Sequence, residues 1–146
     1  MEWFKKNLLY FILVIALSAT LDSLFFSEVL HYPPCVLCWY QRIAMYPLVP
    51  LLVVGILRKD RLVHLYAWPL LLVGWAIGIY HNLLYWKILP EAAAPCISGV
   101  SCTTKFIEWF GFVTIPFLSW LAFTTMLILL VIYTYHLKKD SNANRS

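Results

Sequence analysis

Two pairs of cysteines are the residues in this chain most able to do chemistry. The first pair is Cys35 and Cys38, a CxxC with Arg42 four residues after its second cysteine. The second pair, Cys96 and Cys102, is six positions apart. Such pairs can take part in thiol–disulfide exchange. They can also serve as structural disulfides, or supply four thiolates to a zinc ion.

The surroundings of the first pair favour exchange chemistry. A CxxC at the start of a helix places Cys38 in the first turn, where free backbone N–H groups and the helix dipole stabilise a thiolate. Arg42 then lies one turn deeper on the same face. A guanidinium inside a membrane helix is costly and usually functional. It would offset a thiolate or donate to a ligand carbonyl; alternatively, it reaches the interface and pairs with a backbone carbonyl.

Two further polar residues are candidates for the same site. His81 lies near the end of an apolar segment and could hydrogen-bond a ligand carbonyl or relay a proton. It could instead be an ordinary interhelical histidine. Asp22 could pair with Arg42 or transfer protons, or simply lie at a solvated helix end. The sequence contains no Gly-rich phosphate loop, Ser-His-Asp set or haem motif.

The composition indicates the kind of protein that must position these residues. The chain has 146 residues, of which 62% are hydrophobic and only 12% are charged, with a mean hydropathy of +0.78. An average soluble domain is about 45–50% apolar and about 25% charged. These values exclude a water-soluble globular enzyme, a disordered chain and a nucleic-acid-binding domain.

Four apolar windows are long enough to cross a membrane, which requires about 20 residues in a helix. They cover residues 8–26, 39–57, 62–86 and 109–137. We therefore predict an all-α membrane protein, a four-helix bundle forming a single integral membrane domain over residues 1–146. The first window is longer than the apolar run of a signal peptide, about 7–15 residues, so we expect it to be retained.

The basic residues predict the orientation of the bundle. Eight of the eleven lysines and arginines fall on one side of the predicted membrane, at positions 5, 6, 58, 59, 61, 138, 139 and 145. Cytoplasmic loops collect such residues. Both termini should therefore be cytoplasmic, and loops 27–38 and 87–108 should face outward. All four cysteines then lie on or next to the outer face, where disulfides persist.

The motif CVLCWYQR at residues 35–42 resembles the DsbB family of disulfide-bond-formation thiol:quinone oxidoreductases, in particular its BdbC-like branch. The resemblance extends over nearly the whole chain. It includes the four spans, a cysteine pair in each outward loop, HNLL at 81–84 and GFVTIPFLS at 111–119. The second cysteine pair is spaced more closely than in the best-known members, as it is in the BdbC-like branch.

The resemblance implies an enzyme of the bacterial cell membrane that supports disulfide formation in exported proteins. Its partner would be an extracytoplasmic thioredoxin-like thiol oxidase of the DsbA/BdbD type, and its electron acceptor a membrane quinone, either menaquinone or ubiquinone. Membrane lipid is the other expected contact, and neither nucleic acid nor a metal ion is expected.

Individual roles follow from the resemblance by position. Cys35–Cys38 and Cys96–Cys102 would be redox-active disulfides. Cys96 would form the mixed disulfide with the partner, and Cys102 would exchange with Cys35. Cys38 would become the thiolate facing the quinone. Two further residues would lie beside the quinone, namely Arg42 and His81.

Three alternatives predict different chemistry. A vitamin K epoxide reductase-like enzyme shares the helical architecture and the quinone chemistry, but its quinone-side CxxC follows the loop pair, whereas here it comes first. An enzyme that delivers reductant outward would need cysteines near the cytoplasm or in mid-membrane. A non-enzymatic membrane protein would keep all four cysteines permanently oxidised.

Overall fold

The computed structural model describes residues 2–60, 62–90 and 114–143, and this described part is helical, without strands. It contains α1 (Glu2–Leu24), α2 (Val36–Met45), α3 (Leu48–Leu57), α4 (Val63–Tyr85) and α5 (Ile115–Ala143). A short π-helix, Phe25–Val29, continues α1. The second cysteine pair, Cys96 and Cys102, lies outside the described residues.

These helices form four segments that are long and apolar enough to span a membrane: Asn7–Val29, Val36–Leu57, Val63–Tyr85 and Ile115–Lys139. The predicted four-span, all-α fold is therefore confirmed. The second span begins three residues earlier than predicted, at Val36 rather than at residue 39. The predicted fourth span began at residue 109, and its first five residues lie outside the described part.

The second span consists of two helices, because a proline interrupts it. Helix α2 ends at Met45 and α3 begins at Leu48. The Tyr46 N–H still donates to the Arg42 carbonyl at 2.8 Å, whereas Pro47 has no N–H with which to continue the ladder. Pro47 therefore marks a break within the second span.

An apolar core fills most of the bundle. Helix α5 packs against both α1 and α4, and the buried side chains at these contacts include Ile12, Leu71 and Phe123. Gly74 lets α4 and α5 approach closely, since a Cβ at this position would lie 2.1 Å from the Phe123 ring. Leucine, valine and aromatic side chains cover the outside, as expected for a surface that faces lipid.

Buried polar residues are grouped at the end of the bundle that holds the CxxC. They are Gln41, His81, Asn82 and Thr114. The Asn82 side-chain amide donates to the Gly78 carbonyl at 2.8 Å and to the Pro116 carbonyl at 3.1 Å, linking α4 to the first turn of α5. This link fixes the helix turn that carries His81.

Candidate active site

The chain reaches the CxxC in an extended conformation that sets Cys35 at the start of α2. Two prolines precede Cys35, and a proline restricts the residue before it to extended conformations. Cys35 has φ −70° and ψ 169°, and its Sγ accepts a hydrogen bond from the Cys38 N–H at 3.4 Å. Cys35 is therefore the N-cap of the helix. Cys38 lies in its first turn, as predicted.

The two sulfur atoms lie close together. Cys35 Sγ and Cys38 Sγ are 2.9 Å apart, with Cys35 buried and Cys38 half-buried, and both are free thiols. His81 Nε2 lies 3.8 Å from Cys35 Sγ. The ligand atoms of Cys35, Cys38 and His81 all lie within 4.8 Å of one another, so the group could hold a metal ion. The 2.9 Å separation of the two sulfurs is also short enough for them to join in a disulfide with little movement.

Electrostatics stabilise a thiolate on Cys35. The hydrogen bond from the Cys38 thiol, followed by the hydrogen bond and charge of His81, lowers the pKa of Cys35 to about 4, although burial opposes the shift. The sequence placed the stabilised thiolate on Cys38 instead. The difference arises because the Cys38 thiol and His81 both hydrogen-bond to Cys35 Sγ, and the Cys38 N–H adds a smaller contribution.

Arg42 is held against α1. Its Nε donates to Ser23 Oγ and one of its terminal nitrogens donates to the Ser23 carbonyl, both at 2.8 Å. Its guanidinium also lies 5.4 Å from the centre of the Trp39 ring. The suggested ion pair with Asp22 is not formed; Asp22 is exposed, one residue before Arg42's actual partner. Ser23 lies just before the π-helix, a feature that is frequent at functional sites.

A cavity of about 410 Å³ opens beside these residues and is bounded by α1, α2, α4 and α5. One part of its lining is polar and reactive: Cys35, Cys38, Gln41, Arg42 and His81. Another part is apolar: Val14, Ile15, Leu118, Ala122 and Phe123. The volume lies in the range of small-molecule sites. The lining suits a ligand that has a polar ring and an apolar tail.

Gln41 is a component of the site to which sequence reasoning gave no role. It is only 6% exposed, and its Oε1 accepts a hydrogen bond from Ser119 Oγ at 3.1 Å. Its Nε2 is buried and has no hydrogen-bond partner among the described residues. The sequence signal that could have pointed to Gln41 is an amide side chain within an apolar segment, directly before Arg42. Ser23 and Ser119 gave no comparable signal in the sequence.

The structure brings four of the six predicted site residues around one cavity, namely Cys35, Cys38, Arg42 and His81. The other two, Cys96 and Cys102, lie outside the described residues, so their predicted roles stay predictions.

Comparison with known proteins shows which group the sequence of this chain resembles. Residues 5–133 match the family model "Disulfide bond formation protein DsbB". The chain is 45% identical to "Probable disulfide formation protein C 2" of Bacillus cereus over 132 residues, covering 90% of this chain and 94% of the relative. It is 44% identical to "Disulfide bond formation protein C" of Bacillus subtilis, covering 92% and 94% of the two chains.

The similarity extends beyond Bacillus. A "Probable disulfide formation protein" of Metapseudomonas resinovorans is 41% identical over 133 residues, covering 90% of each chain. No solved structure matches significantly.

Proposed function

The chain belongs to the DsbB family of disulfide bond formation proteins, and from this premise we propose that it is a thiol:quinone oxidoreductase. It would reoxidise an extracytoplasmic thioredoxin-like thiol oxidase and pass the electrons to a membrane quinone. The observation that carries the proposal is the placement of a reactive cysteine pair and Arg42 on one cavity with an apolar extension.

The reaction begins at the Cys96–Cys102 disulfide in the outward loop. A thiolate of the reduced partner attacks Cys96, and the second partner thiol resolves the mixed disulfide, so the partner is oxidised and Cys96 and Cys102 become thiols. Cys102 then attacks Cys35, and Cys96 completes the exchange. Two electrons and two protons thereby reach the Cys35–Cys38 pair.

The Cys35–Cys38 geometry supports a division of roles between the two sulfurs. In the reduced pair, Cys35 carries the negative charge and Cys38 donates the hydrogen bond. While Cys35 is bonded to Cys102, it cannot be the charged sulfur, and Cys38 becomes the free thiolate. Arg42 lies one helical turn deeper on the same cavity, so its charge would stabilise Cys38 in that state.

The residues around the cavity fit a quinone. When bound, a quinone supplies an acceptor for two electrons and two protons, which matches one dithiol. Arg42 would donate to a carbonyl oxygen, since its two bonds to Ser23 leave further N–H groups available. His81 lies against Cys35 and on the same cavity, where it would accept the thiol proton. The apolar part of the lining would hold the tail.

The orientation follows from the same proposal. The protein is a multi-pass membrane protein, and its cysteine loops would face outward from a bacterial cell membrane. Arg58, Lys139 and their basic neighbours would then lie on the cytoplasmic side. Membership of the DsbB family, together with a CxxC that precedes the second cysteine pair in this chain, favours the proposal over the vitamin K epoxide reductase-like alternative.

The test is a reconstitution of the full chain in lipid vesicles that contain a short-chain quinone. Addition of a reduced thioredoxin-like thiol oxidase should reduce the quinone, measured by its ultraviolet absorbance, with one quinone consumed for each dithiol. A Cys96→Ser variant should fail to oxidise the partner while its Cys35–Cys38 pair, once reduced by dithiothreitol, still reduces quinone. If the wild type oxidises the partner at the same rate without quinone or oxygen, the proposed electron route is wrong.

A further inference from the structure

We propose that the Gln41 side-chain amide binds the electron acceptor, with Nε2 donating a hydrogen bond to a quinone carbonyl oxygen and Ser119 fixing the orientation of the amide. The proposal rests on the proposed function, because it assumes that the cavity takes a quinone. It assigns a ligand-binding role to a residue that lies between the CxxC and Arg42.

The first observation is a donor without an acceptor. Gln41 is 6% exposed and lines the cavity, and its Nε2 is buried without a hydrogen-bond partner among the described residues. A buried donor that lacks a partner is costly, so natural proteins rarely keep one without a reason. A carbonyl oxygen in the cavity would satisfy it.

The second observation is that the amide is held from its other side. Ser119 Oγ on α5 donates to Gln41 Oε1 at 3.1 Å, which directs Nε2 away from α5. The neighbouring residue, Arg42, is anchored in the opposite direction, against Ser23 on α1. Adjacent residues of α2 are therefore fixed on two different helices, and all four side chains line the same cavity.

Asn82, the other buried amide among the described residues, uses its donor for a helix–helix link. Its Nδ2 donates to two backbone carbonyls, on α4 and at the start of α5. Its unpartnered atom is the acceptor Oδ1, and the residue does not line the cavity. In the Gln41 amide, Oε1 accepts a hydrogen bond from Ser119 on α5, and Nε2 has no partner among the described residues. This arrangement suits a ligand with a carbonyl group rather than a helix–helix link.

The experiment compares two substitutions that break the same internal hydrogen bond. Gln41→Met removes both the bond to Ser119 and the free N–H, whereas Ser119→Ala removes only the bond. Oxidised wild type and both variants, purified in detergent, are titrated with ubiquinone-1 and with a short-chain menaquinone. Binding is followed by quenching of tryptophan fluorescence, which requires no turnover, and thermal unfolding is recorded for each protein.

Gln41→Met should raise the Kd for quinone about five- to tenfold, the size expected for one lost hydrogen bond. Ser119→Ala should raise it less than about threefold, since the donor stays in place and only its orientation is freed. Both variants should lower the unfolding temperature by similar amounts. If Gln41→Met does not fold, Gln41→Asn, which withdraws the amide by one methylene, should raise the Kd in the same direction.

Equal Kd changes in Gln41→Met and Ser119→Ala would overturn the proposal, because the amide would then act only as a link to α5. A wild-type Kd in Gln41→Met, or in Gln41→Asn where that variant replaces it, would overturn it as well. These results leave quinone binding by the wild type intact. A wild type that binds neither quinone would instead refute the proposed function together with this inference.

Discussion

The two halves of the second span are both ten residues long, yet they differ in what their side chains do. Helix α2 carries Cys38, Gln41 and Arg42, and these residues line the cavity together with Met45. Helix α3 has no charged or amide side chain, and none of its residues lines that cavity. Its Leu48 and Leu52 are instead fully buried in the apolar core.

Because of the break at Pro47, one span can both line the cavity, through α2, and pack into the apolar core, through α3. A continuous helix would fix the direction of the reactive half from the packing of the apolar half. With a break, α2 can pack against α1 and α4 around the cavity, while α3 packs against α1 and α4 within the core. Substitutions in α2 should therefore change chemistry and ligand affinity, and substitutions in α3 should change stability.

The largest effect is expected at Cys38. Replacing Cys38 by Ser leaves Cys35 without a partner for an intramolecular disulfide, so quinone reduction by a reduced partner should fall to background. Quinone absorbance measures the turnover, and thermal unfolding shows whether the fold is kept. Turnover equal to the wild type would mean that this end of the span is not the reactive one.

The second-largest effect is expected for a substitution of Arg42. Arg42→Met removes the guanidinium and its hydrogen-bond donors, and hydrogen bonds to charged groups contribute about 1.5–3 kcal/mol. The Kd for quinone should therefore rise by about tenfold or more. Arg42→Lys serves as the matched control, because it keeps the charge but loses the fork that holds Ser23. An unchanged Kd in Arg42→Met would assign Arg42 to the link with α1 alone.

A substitution in α3 should affect stability without affecting chemistry. A Cβ at Gly55 would lie 2.3 Å from a Val63 methyl carbon, so Gly55→Ala forces α3 and α4 apart. Such overpacking costs about 1–3 kcal/mol. The unfolding temperature in detergent should fall, while the Kd for quinone at a permissive temperature stays within twofold. Val53→Ala, at an exposed position on the same helix, is the control and should unfold near the wild-type temperature.

The smallest effect is expected for the pH dependence of the alkylation rate at Cys35, which should be nearly flat. Because the pKa of Cys35 is lowered to about 4, the reduced protein carries its thiolate throughout pH 6–8. The alkylation rate at Cys35, followed by peptide mass spectrometry, should change less than about twofold over that range, whereas an ordinary thiol would accelerate roughly 80-fold.

The control for this measurement is Cys38→Ala. The thiol of Cys38 is the main cause of the lowered pKa, so in Cys38→Ala the alkylation of Cys35 should become faster as the pH rises. A steep pH dependence in the wild type would contradict the charge assignment to Cys35.

The four-span fold and the placement of the CxxC at the start of α2 could be predicted because both depend on local patterns. Apolar runs of membrane length give the spans, and the CxxC with an arginine one turn later gives Cys38 and Arg42 on one face. His81 also lies where the sequence suggested, at the same cavity.

The partners of these residues could not be predicted, since they depend on how the helices pack. Arg42 contacts Ser23 rather than the neighbouring Asp22, a choice set by the rotation of α1 at the site. The role proposed for Gln41 in ligand binding could be inferred only from the structure, in which Ser119 on α5 lies beside it. The charge within the pair was predicted on Cys38, but it falls on Cys35 because the Cys38 thiol and His81, which α4 brings beside it, hydrogen-bond to Cys35 Sγ.

The central claim, that these cysteines turn over with quinone as the electron sink, is tested most directly by trapping their redox states in living cells. Acid quenching followed by alkylation with a mass-shifting maleimide counts the free thiols of the full chain. With quinone synthesis intact, the four cysteines should be mostly oxidised; on quinone depletion under anaerobic conditions, reduced cysteines should accumulate. Four cysteines that stay oxidised in both conditions would contradict the account and identify the disulfides as structural.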